Sequence, residues 1–193
     1  MPGGLLDRGF KTWAENVAIS IRRDLGLQSH APLDARALAH HLDVLLMTPQ
    51  DVPNIPAAVV TQLLVNDPDG WSAVTCLSGG QARVIYNPTH SLARQNSDIC
   101  HELAHILLEH EPGKMVLSHD ASIIMRGFDA KQEEEANCLG WSLLLPRSAL
   151  AHATKAQLDT KEIARKWAVS EQLVEYRARI TGVRRQFGRQ RAG

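Results

Sequence analysis

Three cysteines, Cys76, Cys100 and Cys138, are too few, odd in number and unhelpfully spaced for a disulfide framework in a chain of 193 residues. A reducing, cytoplasmic setting fits that usage. Long apolar runs are missing as well: no stretch approaches the ~20 residues that a bilayer crossing needs. The first residues lack a basic segment followed by an apolar one, so no signal peptide is expected. Nor is there an excess of either charge. Lys and Arg number 21, Asp and Glu 21, which excludes a uniformly basic or acidic protein. The balance is a cancellation, however. Residues 98–135 carry nine acidic and three basic side chains, whereas residues 161–193 carry nine basic and three acidic.

What is present reads as one α+β unit of ordinary globular composition, without internal repeats or low-complexity segments. Leu6, Phe10, Trp13, Val17, Ile21 and Leu25 recur every three or four residues, predicting a long amphipathic helix that ends near Gly26. A short helix follows Pro32, a strand covers Val44 to Met47, and a helix covers Ala57 to Val65. Two apolar runs, Trp71 to Leu77 and Gln81 to Tyr86, flank Ser78-Gly79-Gly80 and predict a hairpin. Asn87-Pro88 breaks the second strand. Thr89 or Ser91 then caps a helix running to about Glu111, ended by Pro112-Gly113. Residues 114–127 read as irregular. Helices follow near 130–145, 147–153, 160–168 and 170–181.

Chemistry concentrates in the helix after the hairpin. His101-Glu102-Leu103-Ala104-His105 is an HExxH motif, which on a helix puts two imidazoles on one face within reach of a single Zn²⁺. Glu102, one residue on from the first histidine, can address water beside the metal. A catalytic zinc needs a third protein ligand and an open position. The run Glu133-Glu134-Glu135-Ala136-Asn137 is the obvious source. Only one of the three glutamates can face the metal squarely, since successive helical residues differ by ~100°. Cys100 and Cys138 adjoin these motifs, but point away from the ligand faces and read as core packing.

The chain resembles the ImmA/IrrE family of metallopeptidases. The resemblance rests on Ile85-Tyr86-Asn87-Pro88, on Arg94 to Cys100 running into HELAHILLEH, and on Glu133-x-Glu135-Ala136-Asn137 followed by Leu144-Leu145-Pro146. It implies a compact zincin-like core, with a small antiparallel-containing sheet, the HExxH helix and a glutamate helix. It further implies one catalytic Zn²⁺ held by His101, His105 and Glu133, and Glu102 as the residue that activates water for attack on a peptide bond. Asn137, at i+4 from Glu133, would hydrogen-bond a ligand or its neighbour. Candidates for a second donor to the oxyanion are Tyr86, His110 and His119. One departure is the span Cys138-Leu139-Gly140-Trp141, where the family often has an aromatic residue and alanine; altered packing is expected there.

The implied organisation is a metallopeptidase domain over residues 1–153, a helix-turn-helix-like unit over 154–182 packed on it, and a basic tail over 183–193. In the helical pair Ile163, Ala164, Trp167, Val169, Val174 and Ile180 supply the inner face. A DNA-reading helix would start with Glu171 and Gln172, which suits phosphate poorly, so nucleic-acid binding is not expected. The resemblance implies a protein substrate, a helix-turn-helix (XRE-type) repressor on a separate chain, whose cleavage derepresses stress, phage or mobile-element genes. The alternatives are a DNA-binding or interaction module with a structural or vestigial zinc site, and a toxin-like partner in a two-gene system.

Overall fold

The computed structural model describes residues 5–110, 116–117, 123–124 and 129–183. His119, most of the segment 114–127 that reads as irregular, and the tail beyond Val183 lie outside the described residues. Helix α1 (Phe10–Asp24) starts at Gly9, one turn later than the apolar periodicity predicts. Its buried face is also different: Ala14, Ala18, Ile21 and Arg22 turn inward, while Trp13 is 42% exposed. Two alanines on that face let α1 lie close against a later helix, and the bulkier side chains flank the contact.

Helix α2 (Ala35–His41) is capped by Asp34, whose carboxylate accepts from the Arg36 amide at 2.9 Å. Strand β1 (Leu45–Met47) follows, and then α3 (Ala57–Thr61). The single helix expected over 57–65 is interrupted, because from Gln62 to Asn66 the backbone widens into a π-helical turn. Strands β2 (Ala73–Ser78) and β3 (Gln81–Tyr86) form the hairpin, and Gly79 and Gly80, at φ 62 and 79, provide its two-residue turn. The sheet is mixed: β1 pairs in parallel with the central β3, and β2 forms the other, antiparallel edge.

Asn87 ends β3 by tying the following turn together. Its amide donates to the Pro68 carbonyl at 2.6 Å and its oxygen accepts from the amide and hydroxyl of Thr89. Ser91 then caps α4 (Leu92–Leu107). This helix stops before Pro112-Gly113: Glu109 takes the left-handed conformation at φ 53, and the His110 amide donates back to the His105 carbonyl at 3.0 Å. Of the segment read as irregular, Val116–Leu117 (β4) and Ile123–Ile124 (β5) pair antiparallel. The remaining helices, α5 (Ala130–Leu144), α6 (Arg147–Lys155), α7 (Thr160–Trp167) and α8 (Glu171–Thr181), fall where the sequence predicts them.

The architecture is α+β. Val84 of the sheet, Ile99 and Leu103 of α4, and Leu139 and Leu143 of α5 are fully buried at its centre. Two buried arginines close the far end of α5. Arg22 donates to the carbonyls of Leu143 (2.7 Å) and Leu144 (3.4 Å), as well as Ala18 and Ala31. Arg177 of α8 donates to the Leu145 carbonyl at 3.0 Å and to the Glu15 carboxylate at 2.5 Å. In the α7–α8 pair the inward positions include Leu173, Arg177 and Ala178, and Ile180 is displaced to 36% exposure. Arg177, 2% exposed, is thereby out of reach of any phosphate.

Candidate metal centre

The centre is built where α4 crosses α5. His101 and His105 lie one helical turn apart on α4. Their Nε2 atoms approach to 3.1 Å. Glu133, in the first turn of α5, aims its carboxylate between them: Oε2 lies 3.2 Å from His101 Nε2, and Oε1 lies 3.6 Å from His105 Nε2. A tetrahedral Zn²⁺ with bonds of ~2.0–2.1 Å sets its ligand atoms about 3.3 Å apart. The Nε2–Nε2 distance and the His101–Glu133 distance are close to that spacing, and one ligand atom from each of the three residues lies within 4.8 Å of the others, so two imidazoles and a carboxylate make a donor set that suits the ion. Glu134 is not among the donors that converge there, and neither is Glu135.

Small residues permit this crossing. Cys100 and Ala104 on α4, and Ala136 and Gly140 on α5, are all fully buried or nearly so. A Cβ on Gly140 would come to 3.1 Å of the Cys100 carbonyl oxygen. Gly140 sits two turns after Glu133 on the same face, so the close approach that it allows brings the carboxylate down onto the imidazoles. The unusual Cys138 to Trp141 span is therefore the packing surface behind the centre. Burial pushes the Cys100 thiol up to about 12 and raises that of Cys138, keeping both neutral as core residues.

Each imidazole has a partner behind it. His101 Nδ1 lies 3.1 Å from Asn137 Oδ1, the i+4 neighbour of Glu133. His105 Nδ1 lies 2.9 Å from His110 Nδ1, and His110 Nε2 lies 3.2 Å from Glu135 Oε2. Burial, helped by the adjacent His101, lowers the His105 pKa to about 4, which favours the neutral ring that binds metal. Glu102 points to the sheet side of α4. There it is 5% exposed, and its Oε2 accepts from the Thr75 hydroxyl at 2.5 Å.

The other sequence candidates are placed differently. Tyr86 stacks under the Arg36 guanidinium, 5.3 Å from its ring centre, as a half-buried strand aromatic. His110, read as a candidate oxyanion donor, has a side chain only 8% exposed, with both ring nitrogens engaged behind His105. His119 lies outside the described residues. Thr75 was not legible as a site residue: a threonine in a strand carries no motif, and only the sheet's position over α4 reveals it.

The sequence pattern of the peptidase family described as the IrrE N-terminal-like domain matches residues 61–179, which span β2 to α8 and so the whole of this centre. No curated protein matches the chain.

Proposed function

Because the chain belongs to the IrrE N-terminal-like peptidase family, as its motifs predicted, we propose that it is a zinc-dependent endopeptidase of the HExxH type. The observation that carries this reading is the convergence of His101 Nε2, His105 Nε2 and the Glu133 carboxylate, with one ligand atom from each within 4.8 Å of the others. These three residues would hold the ion. Bound Zn²⁺ supplies Lewis acidity toward water and the scissile carbonyl. Glu102 takes the proton from the attacking water and delivers it to the leaving amine nitrogen. Thr75 steadies that carboxylate through its hydroxyl, and Asn137 holds the His101 ring.

The proposed substrate is a helix-turn-helix repressor of the XRE type on a separate chain, cleaved in the cytoplasm to release stress, phage or mobile-element genes. Support comes from the family and from charge. The acidic stretch 98–135 attracts a divalent cation and a basic, DNA-binding polypeptide. Among the described residues, no helix is long and apolar enough to cross a membrane.

Paired substitutions test the reading. Glu102→Gln should keep about one zinc per chain and lose cleavage of a co-expressed candidate repressor, whereas His105→Ala should lose both. Absence of zinc from the wild-type protein, or full cleavage by Glu102→Gln, overturns it.

A further inference from the structure

His110 is bound to His105 twice. Its backbone amide donates to the His105 carbonyl at 3.0 Å, through the turn in which Glu109 adopts φ 53. Its ring then folds back so that the two Nδ1 atoms stand 2.9 Å apart. The left-handed region is unfavourable for a non-glycine residue, and here that conformation delivers the His110 ring to the rear of a proposed ligand. Beyond it, Glu135 Oε2 lies 3.2 Å from His110 Nε2, on a side chain 14% exposed, and Lys131 Nζ stands 3.8 Å from the other carboxylate oxygen.

We infer that His110 is a positioning residue for the metal, holding His105 in the tautomer that leaves Nε2 bare toward Glu133, with Glu135 fixing His110 in turn. The inference rests on the zinc reading above. The chemistry is a proton count along one line. Two Nδ1 atoms at 2.9 Å share a single proton. If His105 carries it, His105 Nε2 offers its lone pair to the metal, and His110 Nδ1 accepts. The His110 proton then sits on Nε2 and points at the Glu135 carboxylate, so every donor meets an acceptor. With the ion held, the reverse arrangement would fail at both ends. It would put a proton on the His105 Nε2 lone pair that the ion needs, whereas without the ion that proton would be accepted by His101 Nε2 at 3.1 Å. It would also aim the bare Nε2 of a neutral His110 at the Glu135 carboxylate. Asn137 does the corresponding work for His101 by presenting an oxygen, which can only accept, to Nδ1. On the His105 side a two-residue line, His110 and then Glu135, replaces the single amide.

Selective ¹⁵N labelling of histidine in the full-length, zinc-loaded protein reads the tautomers directly from ¹H–¹⁵N couplings. His105 should be protonated on Nδ1 and His110 on Nε2 alone. His110 protonated on Nδ1, or on both nitrogens, overturns the inference. Chelator competition supplies the second readout. His110→Ala should weaken zinc binding about 10–100-fold, the usual cost of losing a group behind a metal ligand. His110→Asn, whose side-chain oxygen can take the place of Nδ1 as acceptor, should remain within about threefold of wild type, a rescue that a packing role would not produce. If His110→Ala fails to fold, the wild-type tautomers still decide. Zinc affinity unchanged in His110→Ala overturns this inference alone; no zinc binding by the wild-type protein overturns the peptidase reading together with it.

Discussion

The two ends of α5 answer to opposite demands. At its N-terminal end Glu133, Glu135 and Asn137 are partly exposed, and each faces an imidazole from α4 or the turn after it. At its C-terminal end Leu143, Leu144 and Leu145 are fully buried, and their carbonyls are taken by the guanidiniums of Arg22 and Arg177. Carbonyls in a helix's last turn have no intrahelical partner and form the negative end of its dipole, so buried cations there satisfy both needs. The difference teaches how the centre keeps its geometry. Carboxylate and imidazoles stay within ångströms of a tetrahedron because the same helix is pinned at the end that does no chemistry.

The largest expected effect is therefore far from the centre. Arg22→Met leaves the two α5 carbonyls without their donors in a dry interior, and should cost about 3 kcal/mol of stability, read by urea unfolding of the metal-free protein. Burial already lowers the Arg22 pKa to about 10, a sign of how completely it has left water. An unchanged unfolding midpoint would show that α5 is not pinned there. Gly140→Val acts between the two ends. Its branched side chain would press on the Cys100 carbonyl, where a single Cβ already comes to 3.1 Å. A loss of about 1–3 kcal/mol is expected, and zinc affinity should fall as the helices separate. Stability lost without any loss of zinc affinity would uncouple the crossing from the centre.

The polar end should also respond to pH. The His105 pKa is lowered by burial to about 4, against 6.5 for the ordinary group. Between those values the unfolded chain binds a proton that the folded one refuses, so the contribution of this group to stability is present above 6.5 and lost as pH falls toward 4. Acid titration of the metal-free protein should show unfolding promoted across that window, and His105→Asn should flatten the slope. A slope unchanged in that variant would place the titrating group elsewhere.

The same division explains what could be read from sequence. The candidate metal-binding end was legible because its information is local: two histidines at i and i+4, a glutamate beside the first, and a second, glutamate-rich motif downstream. The α+β class and most helix ends were legible for a similar reason, since Asp34, Ser91, Asp129, Asp159 and Ser170 all cap helices with their side chains. The pinned end was not legible. Arg22 lies 121 residues from the Leu143 carbonyl that it serves, and in the helical pattern of α1 it reads as one more polar residue. Trp13 misled for the complementary reason. Apolar periodicity marks a face by size, whereas α1 is seated by the small residues Ala14 and Ala18, which periodicity weighs least. His110 falls between the cases: it is visible as a third histidine near the motif, but its direction depends on the left-handed Glu109, which no composition rule announces.

Thr75 is the finest test of the polar end, because it touches neither ligand nor helix crossing. Its hydroxyl is 2.5 Å from Glu102 Oε2, on a side chain from the edge strand β2, and both residues are buried. Thr75→Val preserves shape in the strand and removes only the donor. A hydrogen bond to a charged group is worth roughly 1.5–3 kcal/mol, of which the part felt when Glu102 moves a proton is a fraction. Turnover of a repressor whose cleavage requires Glu102 should drop about tenfold, corresponding to about 1.4 kcal/mol, with zinc content and KM unchanged. That pattern would separate the machinery of proton transfer, held from the sheet, from the machinery of metal binding, held from α5. A fall in zinc affinity in Thr75→Val would show instead that the sheet and the helix crossing hold the centre jointly, and the contrast between the two ends of α5 would then be incomplete without β2.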